Sequence, residues 1–396
     1  MADTTKDIWN DNDGEEEEKK PRRKLRGCLI FFLTLVAVLG VVVFAAYRDG
    51  TGFDVLRRYF SYGTQDSAGG SAVYNYDAAS SNRFAVLGEK LVVLSDTSLS
   101  LLDAQGGQVW SRNVKMGAPA LHCGGGRAVA YDVGGTELYV IDEKGNLLTI
   151  EDSKGEPPLI SATLNEAGWL AVTSDLGNCK GCVSVYNKEL EPVFLFKSSR
   201  RFVTDAYVSD DCTRLAAVTL GQEESVFVSN IVLYDLTKED PVADYDIADG
   251  LVAAIGQDGD TLVTLCDTRL TLAGLDGRVR AEYPFGGACL REYALEGDGF
   301  TALLLNRYSS GSVGRLVTVG ADGRELGSLD VNEEILNISA SGRYLAVLYA
   351  TRLVIYNADL QAYASLSGTD YARQVLVRSD GSALLVSSES AKLFLP

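Results

Sequence analysis

Histidine occurs once in 396 residues, at His122. A catalytic triad or a metal site built on histidine therefore has a single place to be, and that place, directly before the turn Cys123-Gly124-Gly125-Gly126, reads as a turn or core position. Those glycines lack the strand-to-helix setting of a nucleotide site, and no G-x-x-x-x-G-K phosphate loop occurs. Cys179-Lys180-Gly181-Cys182 has the spacing of half a zinc site, but neither a second such pair nor two histidines complete it. A hairpin loop with free thiols or a local disulfide is expected there. Cys123, Cys212, Cys266 and Cys289 are expected mostly as ordinary buried residues, since a domain of this length folds without disulfides. Positive charge is also scarce, with 36 Lys and Arg against 54 Asp and Glu. Residues 1–48 hold eight of each sign, so the remainder keeps 28 basic and 46 acidic residues and carries the whole net charge of −18. Such a surface repels nucleic acid, anionic lipid and polyanionic polymers, which excludes a nucleic-acid partner.

What the chain does have is one long uncharged run, Cys28 to Tyr47. As a helix it spans about 30 Å, the thickness of a bilayer's hydrocarbon core. Lys19, Lys20, Arg22, Arg23, Lys24 and Arg26 precede it, whereas Arg48, Arg57 and Arg58 follow. The positive-inside rule then places the N-terminus in the cytosol. The run is long for a cleaved signal, and its best cleavage triplet, Val43-Phe44-Ala45, fits poorly. The expected organisation is a disordered cytosolic tail over 1–26, a transmembrane helix over 27–48, a juxtamembrane helix and linker over 49–70, and an extracytoplasmic domain over 71–396. The tail is polar apart from Ile8 and Trp9, and Asp11-Asn12-Asp13-Gly14 fails as a calcium loop because Trp9 would take the first ligand position. Phe53, Leu56 and Tyr59 or Phe60 recur at helical spacing beside Arg57 and Arg58, which suits either the membrane surface or packing onto the domain. Ser67 to Ser71 reads as a flexible linker.

Beyond residue 72 apolar runs recur, beginning near Lys90, Arg127, Trp169, Arg214, Thr261, Phe300, Arg343 and Ser382, at spacings of 37 to 47 residues. Each is nearly continuous, as in LVVLSD, LAVTSD and YLAVLY, so each strand is covered on both faces. A second strand follows each run, and Asp-Gly-type turns such as Asp258-Gly259 and Asp276-Gly277 separate them. The unit is a four-stranded antiparallel meander that needs a neighbour on each side. Radial packing provides one, so the fold class is all-β, an eight-bladed β-propeller, with seven blades as the alternative. No helical pattern of ten to fifteen residues intervenes to suggest an α/β fold.

Leu102-Asp103-Ala104-Gln105-Gly106-Gly107-Gln108-Val109-Trp110 resembles the repeat of quinoprotein-type propellers, with its Asp, Gly and closing Trp. Later copies such as Asp142 to Gly145 lack the tryptophan, and the adjacent cysteines of quinoprotein dehydrogenases are absent. That resemblance implies a fold, akin also to WD40-like repeats, and no redox chemistry. The single anchor, Leu94 to Leu99, Arg127 to Val140 and Gly181 to Asn187 are similar to an uncharacterised family of membrane-anchored propeller-like proteins of Gram-positive bacteria. That similarity implies the same architecture and brings no functional residues.

The sequence thus assigns no catalytic, cofactor-binding or metal-binding residue and no cofactor. It predicts a non-catalytic binding or scaffolding module at the cell envelope, attached to the membrane through residues 28–47, with an unspecified protein or envelope ligand. The alternatives are a glycan hydrolase using paired carboxylates, which are abundant, and a sensor signalling through its anchor. The eighth repeat, from Tyr371, has room for three strands only, and Ala72 to Tyr76 is a spare segment rich in Val and Tyr. It is expected to pair with the last strand as the outer edge of the ring.

Overall fold

The computed structural model describes residues 30–42, 51–62, 72–150, 157–223, 226–247 and 250–396. The expected cytosolic tail, both ends of the expected membrane span and the expected linker at Ser67 to Ser71 lie outside the described residues. The chain forms two units, Met1–Leu56 and Arg57–Pro396. In the first, residues 30–42 are helical with exposed side chains, and the Thr34 hydroxyl donates back to the carbonyls of Ile30 and Phe31. These thirteen residues rise only about 20 Å. Among the described residues no helix is long and apolar enough to cross a membrane.

The second unit carries, among the described residues, eight four-stranded antiparallel sheets, which settles eight blades over seven. Blade 1 covers residues 83–113, blade 2 119–148, blade 3 159–197, blade 4 202–247, blade 5 252–284, blade 6 289–331 and blade 7 335–367. Blade 8 takes three strands from 374–394 and its fourth from Val73–Asn75. Val73, Tyr74 and Asn75 pair with Lys392, Ala391 and Ser390, as expected of the spare segment. The Leu393 and Tyr76 amides extend the ladder to the Ala72 and Glu389 carbonyls, each at 3.1 Å.

The continuous apolar runs are the second strands, and their alternate side chains enter different cores. Leu91 and Val93 pack with Tyr74, Leu384 and Leu393 of blade 8, whereas Val92 and Leu94 pack with Ala128, Ala130 and Ile141 of blade 2. Burial on both faces is what the lack of in-out alternation encodes. Outer strands, such as Gln108–Asn113, are largely exposed.

The turns between third and fourth strands, such as Asp103 to Gly106 and Gly274 to Gly277, pack against the outer strand of the neighbouring blade. Asp103 Oδ1 accepts from the amides of Gln105 and Gly107, at 3.0 and 2.8 Å, and holds the turn closed. Gly277, at φ +79°, lies where a Cβ would sit 2.4 Å from Ala243 Cβ on the outer strand of blade 4. Gly106, at φ +83°, meets the Val73 carbonyl oxygen in the same way, at 2.3 Å, so the closing strand occupies the place of a true outer strand. Trp110, the closing tryptophan of the first repeat, donates its indole N–H to the Gly145 carbonyl of blade 2, at 2.7 Å.

One departure from the expected repeat is blade 4, whose middle strands Arg214–Glu223 and Val226–Asp235 run ten residues each. Val226 and Phe227, at the start of the third strand, are exposed.

Candidate functional site

The first strand of each blade lines the central channel and has a sheet neighbour on one side only, which leaves a polar backbone edge to be satisfied. Side chains of one blade meet this need for the next. His122 Nδ1 accepts from the Leu164 amide at 3.1 Å. Asn337 Oδ1 and Ser339 Oγ accept from the amides of Val375 and Val377, at 2.9 and 3.1 Å. The Thr163 hydroxyl donates to the Ala206 carbonyl, and the Asn165 amide group to that of Ser209. At the turns, Asp210 Oδ1 accepts from the Glu166 amide at 3.1 Å and Asp258 Oδ1 from the Gly299 amide at 3.2 Å. The lone histidine is thus a wall residue. Its surroundings push its pKa down to about 4, and the neutral ring stays an acceptor.

Between blades 2 and 6 the channel widens into a cavity of about 400 Å³. Glu166, Asp205, Asp210, Asp258, Glu296 and Asp298 line it, with no lysine or arginine among the lining residues. Burial first, then Asp210 and Asp298, raises the Glu166 pKa. Burial raises Asp205 against the opposing Ser161 hydroxyl and Ala206 amide, and burial with Asp298 raises Asp258. Glu296 faces the lumen but is surrounded by protein, and the crowding raises its pKa too. Carboxylates that cannot all be comfortably charged attract cations and hold protons. Among the described residues no three metal-ligating side chains converge.

The helix Thr51–Tyr62 runs into the ring unit, and its last residues are fastened beside the channel mouth. Arg57 donates to Ser379 Oγ at 3.3 Å, and Arg58 to the Asp380 carbonyl and the Tyr363 hydroxyl. Arg378, only 5% exposed, donates to the Tyr62 hydroxyl and the Glu89 carbonyl, both at 2.9 Å, and to the Tyr74 hydroxyl at 3.5 Å. One guanidinium thus joins helix end, closing strand and blade 1. Packing onto the domain, one of the two settings open to this helix, is realised by Arg57, Arg58 and Tyr62, while Phe60 is 77% exposed.

The cysteine pair lies elsewhere, in the loop before the third strand of blade 3. Cys179 Sγ bonds the Gly181 carbonyl and Cys182 Sγ the Ser174 hydroxyl, and all six described cysteines are free thiols. Sequence reasoning missed the channel carboxylates. Their signal was present as acids inside strand-forming runs, Asp205 in FVTDAYV and Glu296 in CLREYALEG, but an overall acidic composition hid it.

Fold and channel define a class: an eight-bladed β-propeller with a polar axis that is lined by acids between blades 2 and 6. The structure is similar to BamB from Moraxella catarrhalis, with a TM-score of 0.51 and 12% identity over 82% of this chain and 98% of that one. It is also similar to the C-terminal WD40 domain of Sif2, with a TM-score of 0.55 and 15% identity over 81% and 97%. At such identities the likeness concerns the fold alone. In sequence, residues 62–391 match the model of a family of unknown function, DUF5711, and the chain belongs to that family. No curated protein matches in sequence.

Proposed function

We propose that the protein is a membrane-tethered, extracytoplasmic binding module that performs no catalysis of its own and is anchored through residues 28–47 with its N-terminus in the cytosol. The basic cluster before the apolar run supports the orientation. The observation that carries the reading is the fastening of Arg57 and Arg58 to Ser379 and Asp380, and of Tyr62 through Arg378 to Glu89, all at turns between first and second strands. The chain enters the ring at that face, which leaves the rim and the opposite face to a partner. The test is external protease on protoplasts: the ring should be digested and only tail and anchor spared. A protected ring would refute the orientation and the envelope location together.

A second reading, envelope glycan hydrolysis, is favoured by four raised carboxylates, Glu166, Asp205, Asp258 and Glu296, around one cavity. Glycan cleavage by the wild-type chain that is abolished in E296Q or D205N would establish it.

A further inference from the structure

We infer that a groove between blades 3 and 4 is a docking site for an acidic peptide segment of a partner protein that carries apolar side chains among its carboxylates. This deepens the binding-module reading and rests on it. The groove has a volume of about 350 Å³. Its floor is apolar: Phe196 and Tyr234 pack at a 38° tilt with ring centroids 4.7 Å apart, beside Val232 and Pro241. Lys197, Arg200 and Arg201 line its rim, with Asp244 as the one lining carboxylate. Lys197 and Arg200 are exposed, and among the described residues neither is held in an ion pair.

The rim is built by the loop that looks like half a zinc site. The Lys180 amide donates to the Ser198 carbonyl at 2.8 Å, the Ser198 amide to the Gly181 carbonyl at 3.0 Å, and the Val203 amide to the Lys180 carbonyl at 2.9 Å. These bonds clamp the segment 197–203 against blade 3. They also bring a fourth cation alongside, with Lys180 Nζ lying 5.0 Å from the centroid of the exposed Phe202 ring. Asp244, for its part, is engaged by the Asn230 amide group at 3.3 Å.

Charge selects the occupant. The ring carries nearly the whole excess of 46 acidic over 28 basic residues found beyond residue 48, so a concentrated basic rim stands out against a repelling surface. Screening confines the attraction to about 8 Å at physiological salt. A long polyanion or an anionic bilayer would extend past that range onto repelling acidic surface. A short acidic segment fits within it, its carboxylates on the guanidinium of Arg200 and its apolar side chains on the Phe196–Tyr234 floor.

The experiment uses the full chain in detergent micelles and a fluorescein-labelled decapeptide in which Glu alternates with Leu and Phe. Anisotropy should show saturable binding that weakens tenfold or more between 50 and 500 mM salt. Binding should also fall tenfold or more in the double variant K197Q/R200Q, whose exposed positions leave the fold intact. A Gln-for-Glu peptide should bind at least tenfold more weakly, and so should decaglutamate. Equal binding by the double variant, or by either control peptide, overturns the proposal. So does tighter binding of sulfated dextran or of vesicles containing 30% anionic lipid. Surface crosslinking in cells separates the two claims: a partner captured equally by wild type and K197Q/R200Q removes the groove and keeps the binding module, whereas no partner for either removes both.

Discussion

Ring closure rests on three residues, and Tyr74 is the one to perturb. It is fully buried between Leu384 and Leu393 of blade 8 and Leu91 and Val93 of blade 1. Its hydroxyl donates to the Ala104 carbonyl at 3.0 Å and accepts from Arg378 at 3.5 Å. Tyr74→Ala removes an aromatic ring from a packed site, worth about 3–5 kcal/mol. Tyr74→Phe keeps the ring and removes the hydroxyl, worth about 1 kcal/mol for the lost bond. Deleting 72–76 abolishes the three-residue pairing with Ser390–Lys392 and exposes the edge of blade 8.

The readout is urea unfolding followed by tryptophan fluorescence. Of the three tryptophans, Trp110, read in a W9F/W169F background, reports blade 1, next to the closing strand, and Trp169, read in a W9F/W110F background, reports blade 3, two blades away. In a linear array of repeats, damage at one end stays local because each repeat contacts only its neighbours. In a closed ring the closing blade is a neighbour on both sides, so both tryptophans should report one transition. With a slope of roughly 3 kcal/mol per molar urea, Tyr74→Ala should lower the midpoint by about 1–2 M and Tyr74→Phe by a few tenths. An unchanged midpoint, or a Trp110 transition separated from that of Trp169, would show that the strand does not close the ring.

Further outcomes follow from the same contacts. Gly277→Ala forces a methyl onto Ala243 at a positive φ and should cost about 1–3 kcal/mol in urea unfolding. His122 has a folded pKa of about 4, below the unfolded value of about 6.5, so its contribution to stability is complete above pH 6.5 and is lost as pH falls toward 4. The loss is at most about 3 kcal/mol, moderated by channel water, and His122→Asn, which keeps an acceptor but does not titrate, should abolish it in stability measured against pH. Glu296 shows the opposite sign: its raised pKa means folding favours the protonated acid, so E296Q should stabilise the chain at pH 7, an advantage that shrinks as pH falls through the folded value and is gone at the unfolded one. Replacing Cys179 and Cys182 by serine should leave the urea midpoint within about 1 kcal/mol of wild type, since the loop is held by the backbone bonds of Lys180, Gly181 and Ser198.

The ring was legible because its signals are local and repeated. LVVLSD and its seven counterparts report burial on two faces, and the Asp-Gly turns report where each strand ends. Even the closure was legible, since a repeat that is one strand short is an arithmetic fact of the chain. The channel was not. Whether Asp205 points into the lumen depends on its register within Phe202–Val208, where a bulge between Val203 and Asp205 shifts the alternation. His122 was recognisable as a candidate, but its partner, the Leu164 amide, is 42 residues away in the next blade. The basic groove was hidden for another reason: composition averages its few cations into a net charge of −18.

The two charged features divide the ring's surface by function. Two of the channel's carboxylates, Asp210 and Asp258, are already committed to backbone amides of neighbouring blades, those of Glu166 and Gly299. A ligand that competed for those oxygens would loosen the contacts between blades, so occupancy of the channel is coupled to ring stability. The groove between blades 3 and 4 has no such duty, because Lys197 and Arg200 stand on an outer strand and a connecting segment rather than on a channel edge. Binding there adds contacts without removing any that hold the blades together. A propeller acting as a persistent docking platform has reason to recognise its partner at the rim and to leave the axis to structure.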